Sequence, residues 1–163
     1  MLRRRTVVVI GSLLVLGAAA VPLVAFVIVP QFVRSTLVEE LPARPGSSSP
    51  SVTTETPPTL VSGELVRISV ADYGTGTVRI VTVGDSWVLR FDNVDIAGAP
   101  DTYVYLSDRT DGMPGRFIDL GRLKATNGSF NYPIAAGIDI GAVRSVVLWC
   151  RQFSVTITYA TLR

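Results

Sequence analysis

The chain has 163 residues, one Cys and no His, with 15 Lys and Arg against 13 Asp and Glu. That length allows one ordinary domain plus extensions. The missing His excludes a Ser-His-Asp triad, a Cys-His dyad and a His-held haem or zinc, and the single Cys excludes an intrachain disulfide framework and a four-Cys metal site.

The first five residues, Met-Leu-Arg-Arg-Arg, form a short basic start. From Val7 to Val29 there is no charged residue and only Ser12 is clearly polar. As a helix these 23 positions reach about 35 Å, enough for a hydrocarbon core of about 30 Å. Residues 6–33 are therefore expected to form a transmembrane signal-anchor helix. Arg3–Arg5 place residues 1–5 in the cytoplasm and the rest of this single-pass chain outside the cell membrane. A cleaved signal peptide is the competing reading, because Ala18-Ala19-Ala20 fits a small-residue cleavage site. The apolar run continues to Val29, past the roughly 7–15 residues usual for a signal peptide, which favours the anchor.

Residues 34–61 read as a Pro/Ser/Thr-rich linker. Five of the ten Pro lie at 42, 45, 50, 57 and 58, with Ser47-Ser48-Ser49 between them. Such a segment lacks the apolar surface to order itself, and in an extended polyproline form about 20 residues reach roughly 60 Å.

The folded domain is expected over 62–163, with ten basic and ten acidic residues. It is neutral, so the overall positive charge does not point to nucleic acid. Short β-rich runs cover 64–70, 76–83, 86–91, 102–107, 116–123, 128–134 and 143–159. Gly-, Asp- and Pro-containing turns separate them. This spacing predicts an all-β antiparallel sandwich or barrel. Val78, Ile80, Trp87, Leu89 and Phe91 alternate as core faces of two strands. Tyr103 and Tyr105 against Val104 and Leu106 leave the inner face open. Phe153, Val155, Ile157 and Tyr159 are expected to share one face of the last strand. Val146–Trp149 reads as a strand covered on both faces.

Cys150 is the first candidate for chemistry. Simple alternation places it with Val146 and Leu148, whereas a bulge at Arg151-Gln152 would turn it towards Val155 and Ile157. Neighbouring Arg151 would favour a thiolate. A lone Cys in an apolar strand is also an ordinary small core residue. Asp92, Asp95, Asp101, Asp108, Asp111 and Asp119 offer calcium-ligating or paired-carboxylate chemistry, but turn capping accounts for them more simply. Trp87, Trp149 and the tyrosines offer a stacking surface or core packing. Asn127-Gly128 reads as a hairpin turn, within a sequence that also matches a glycosylation acceptor.

Three blocks resemble the electron-transfer DM-thirteen domain, a β-sandwich family grouped with DOMON domains. They are Gly76–Ile80 with Leu89–Val94, then Ala99–Ser107, then Asp119–Ala125 with Gly128–Tyr132 and Val146–Val155. The resemblance implies a redox role for the Cys of the Trp-Cys motif. Carried over, this is Cys150 as the redox thiol, with Trp149 and Asp101 as neighbouring positions of a cofactor-contacting motif. Ala99 stands where the family has Gly, and Asp72-Tyr73-Gly74 where a His is common. No particular cofactor follows from it. The expected partners are the membrane, through residues 6–33, and a redox protein or a second copy joined through Cys150. The alternative is a non-catalytic cell-envelope module that binds a protein or a glycan.

Overall fold

A computed structural model describes residues 34–42 and 58–163. The expected anchor at 6–33 lies outside the described residues. Among the described residues no helix is long and apolar enough to cross a membrane.

The described residues form nine strands: β1 (Thr36–Val38), β2 (Thr59–Glu64), β3 (Gly74–Val83), β4 (Ser86–Ile96), β5 (Thr102–Ser107), β6 (Phe117–Arg122), β7 (Asn127–Ile134), β8 (Ser145–Cys150) and β9 (Val155–Thr161). They make two sheets. The first has the order β1-β7-β4-β3-β2 and the second β6-β5-β8-β9. All neighbours are antiparallel except β1, which runs parallel to β7. The all-β sandwich expected from the turn spacing is the fold.

Alternation sets which residues lie between the sheets. Val78 and Ile80 of β3, Leu89 and Phe91 of β4, and Phe130 and Tyr132 of β7 line one side of the core, with Trp87 packed against it. Val104 and Leu106 of β5 and Val146, Leu148 and Cys150 of β8 line the other. Phe91 and Phe130 stack at 4.9 Å, and Tyr132 meets Phe91 edge-on at 5.8 Å. Such aromatic pairs add about 0.5–1.5 kcal/mol each beyond the area they bury.

Several expectations are corrected. The expected linker, 34–61, contains two strand segments of the sandwich: β1, and the first residues of β2. β1 has only three residues, of which Leu37 alone is half-buried, so its short apolar pattern is invisible in a Pro- and Ser-rich context. Its close approach explains Asn127-Gly128, which is not a tight turn but the start of β7. Gly128 has φ +108°, and a Cβ there would strike the Leu37 carbonyl oxygen. The strand expected at 64–70 ends at Glu64 and gives way to a loop. The single run 143–159 divides at a turn over Arg151–Ser154, where Ser154 adopts φ +53°. Phe153 therefore leaves the core and is 56 % exposed.

The pairing registers also fix which strand ends meet. Thr36 opposes Asn127, Asn127 opposes Asp95, and Gly74 opposes Ile96. Thr102 opposes Cys150, which opposes Val155, while Tyr103 opposes Arg122. One end of the sandwich thus collects the starts of β1, β3, β5, β7 and β9 and the ends of β4, β6 and β8. This is the end at which β1 enters.

Candidate functional site around Cys150

Cys150 closes β8 and is completely buried. Alternation is unbroken through β8, so the thiol faces the core beside Leu148 while Trp149 lies half-buried on the opposite face. No bulge turns it. The loop Ala97–Asp101 between β4 and β5 covers the thiol, and Cys150 Sγ donates to the Pro100 carbonyl at 2.8 Å.

That loop is tied down at several points. Ala97 N–H donates to Tyr73 O at 2.9 Å and Arg151 N–H donates to Asp101 O at 3.1 Å. The Thr102 hydroxyl donates to Ala99 O at 3.1 Å. Asp101 adopts φ +58°, a left-handed conformation that Asp tolerates better than most residues. Its carboxylate pairs with Arg122. The Pro100-Asp101 and Trp149-Cys150-Arg151 segments, far apart in sequence, therefore meet at one place.

Arg151 does not lie over the thiol. Its guanidinium sits 3.4 Å from the Tyr103 ring centroid on the outer face of the second sheet. Nε donates to the Tyr105 hydroxyl at 2.6 Å and Nη2 pairs with Asp119. The Tyr105 hydroxyl, together with the Asp119 carboxylate, holds the guanidinium protonated beyond its ordinary range. Arg122 stands 5.4 Å from the same Tyr103 ring, and Phe117 stacks on Tyr105 at 4.1 Å. This cluster of arginines and tyrosines was missed in the sequence reading. The alternation of Tyr103 and Tyr105 with Val104 and Leu106 is its one sequence signal: the apolar pair takes the core and the tyrosines take the outer face.

The carboxylates do not gather. Asp92 bridges Arg79 at 2.6 Å and Arg90 at 2.8 Å. Asp95 accepts from Asn127 at 3.0 Å, and Asp108 accepts from Arg116 N–H at 3.0 Å. Asp111 pairs with Arg109, and that hydrogen bond, with one from Met113 N–H, lowers its carboxyl to about 2. Among the described residues no group of three or more metal-ligating acidic or Cys side chains stands together.

Trp149 borders a separate open groove of about 590 Å³ between the 66–72 loop, the 111–113 loop and the start of β9. Ile68, Met113, Val155 and Tyr159 share its lining with Arg67, Asp72 and Asp111.

A two-sheet, mainly antiparallel sandwich with its single thiol sealed at one end is an all-β module. The chain belongs to the family described as Electron transfer DM13, whose pattern matches residues 68–162, more than half of the sequence. No curated protein and no solved structure matches it.

Proposed function

We propose that the chain is a membrane-anchored, extracytoplasmic electron-transfer domain in which Cys150 is the redox group. The observation that carries the reading is the placement of Cys150 at the end of β8, beneath the one loop where the two motif segments meet. Family membership supports the electron-transfer role, and the uncharged run Val7–Val29, within the expected 6–33 anchor, supports membrane anchoring.

The chemistry is thiol–disulfide exchange with a partner protein's disulfide. The 97–101 loop lifts and Cys150 loses its proton to water. Its sulfur attacks one sulfur of the partner disulfide, whose S–S bond breaks as the new mixed disulfide forms. The departing partner sulfur leaves as a thiolate. Cys150 of a second copy then displaces the remaining partner sulfur. Two electrons have passed from two Cys150 thiols to the partner, leaving a disulfide-linked pair. Asp101 is a positioning residue here: its carbonyl and carboxylate hold the covering loop to Arg151 and Arg122. Trp149 lies half-buried on the opposite face of β8, in the lining of the neighbouring groove.

The test is native-state thiol labelling of the full chain in membranes, compared with its urea unfolding. Labelling faster than global unfolding, together with a redox-dependent mixed disulfide lost in Cys150→Ser, is the expected result. Labelling only through global unfolding, with no mixed disulfide, overturns the reading. The Trp149 groove favours a second reading, a non-catalytic binding module for a protein or glycan. In that case Trp149→Ala abolishes binding and Cys150→Ser leaves it intact.

A further inference from the structure

We propose that the Cys150 end of the sandwich rests on the bilayer surface, with the apolar tips Val70 and Phe153 in the boundary between headgroups and acyl chains. This rests on the membrane anchoring proposed above, and four observations carry it beyond that reading.

The first is chain length. The apolar run ends at Val29, and the sandwich already holds the chain from Arg34. Arg34 Nη1 lies 3.6 Å from Asp95 and Nη2 donates to the Tyr73 hydroxyl at 2.9 Å. Ser35 N–H donates to Thr126 Oγ1 at 3.0 Å, and Ser35 O accepts from Asn127 N–H at 2.9 Å. Residues 30–33 are all that separates the two, and fully extended they span about 14 Å. The Pro/Ser/Thr-rich run cannot lengthen this reach. It follows β1 and joins it to β2.

The second is direction. β1 is parallel to β7, so the chain enters at the end where β8 finishes in Cys150. The hairpin Gly84-Asp85 lies at the other end.

The third is apolar exposure at the entry end. Val70, in the loop between β2 and β3, is 91 % exposed, and Phe153, in the turn between β8 and β9, is 56 % exposed. Ile68 and Val155 beside them are also exposed. Ser69 N–H donates to Asp72 O at 2.8 Å, so the turn that lifts Val70 is a closed one. Large apolar side chains at two loop tips on one end are poorly served by water and well served by a membrane interface.

The fourth is charge. Arg34 and Arg122, both more than 60 % exposed, stand at this end with Arg67 and Arg151, as do Asp72, Asp95 and Asp101. The arginines suit anionic headgroups, and the pairing of Arg34 with Asp95, Arg122 with Asp101 and Arg151 with Asp119 keeps the surface from being strongly basic.

The experiment uses the full chain in vesicles of phosphatidylcholine and phosphatidylglycerol, in a Cys150→Ala background. Val70→Cys, Phe153→Cys and Asp85→Cys each carry an environment-sensitive fluorophore, with nitroxide-labelled lipid as quencher. Blue-shifted emission at 70 and 153, quenched several-fold more strongly than at 85, is expected. Chain retained in carbonate-washed vesicles but with equal weak quenching at all three sites overturns this inference and leaves anchoring standing. A blue shift without lipid quenching means that a protein covers these tips, and also overturns it. Chain washed out of the vesicles overturns both.

Discussion

Replacing Gly128 by Ala should unfasten β1 from β7. Gly128 has φ +108°, and a Cβ there would meet the Leu37 carbonyl oxygen of β1. The left-handed backbone alone costs a non-glycine residue about 1–3 kcal/mol. Besides Leu37, which packs against the core, what holds β1 is a small set of polar contacts. Glu39 N–H donates to Ser129 O at 2.7 Å, and Arg90 Nη1 donates to Glu39 O at 2.6 Å. The Glu39 carboxylate accepts from Asn131 N–H at 2.8 Å and pairs with Lys124 at 3.0 Å. Each such bond is worth about 0.5–1.5 kcal/mol net, while holding each residue costs about 1–2 kcal/mol of backbone entropy. Docking is thus a small difference, and a Cβ in the way suffices to reverse it. Amide hydrogen exchange of the full chain reads the outcome. The amides of Thr126, Asn127 and Asn131, which donate to Ser35 and Glu39, should exchange about tenfold faster or more, since 1.4 kcal/mol is a factor of ten. The β3 and β4 amides should change little. Glu39→Ala should release the same three amides without straining β7. If both variants leave them protected, β1 is not held as argued.

Two further outcomes follow from buried and half-buried groups. Tyr132→Phe removes a hydroxyl that donates to Arg122 O at 2.9 Å and accepts from Lys124 N–H at 2.8 Å. The variant should lose about 1–3 kcal/mol in urea unfolding, because both backbone groups lose a partner. The Glu39 carboxyl lies below its ordinary value of 4.5. Partial burial works to raise it, but hydrogen bonds from Asn131 N–H and Lys124, with the charge of Lys124, outweigh that. A lowered folded value means that its contribution is present above pH 4.5 and is lost as pH falls towards the lower folded value. Protection of the Asn131 amide, relative to its intrinsic exchange rate at each pH, should therefore fall on acidification below about pH 4.5, and Glu39→Gln should remove that dependence.

The fold class was legible because its signal is local. Turn residues recur at sandwich spacing, and Val78, Ile80, Leu89 and Phe91 alternate on the core face. The parity of Cys150 is open in the sequence, since it depends on whether the chain bulges or turns at Arg151–Ser154, and a turn with Ser154 at positive φ has no strong local code. Asn127-Gly128 misled because the same dipeptide that makes tight turns also permits close approach of a neighbouring backbone. β1 was hidden for a different reason. Three residues carry little pattern, and Glu39 matters only because Arg90, Asn131 and Lys124 wait for it in space. The Arg151 cluster shows the same limit: adjacency in sequence to Cys150 says nothing about which side of the sheet the guanidinium takes.

The position of β1 bears on how the domain can be cut. The family match begins at residue 68, after β2 has ended. A fragment trimmed to that match loses both outer strands of the five-stranded sheet. β7 and β3 would then each present an unpaired row of backbone donors and acceptors, the template on which another chain adds a strand. Arg90 and Asn131 would lose the Glu39 and Glu40 carbonyls that they now donate to. Such a fragment would seek new strands from its own copies. Its self-association would then reflect the missing edges, not the quaternary habit of the intact chain.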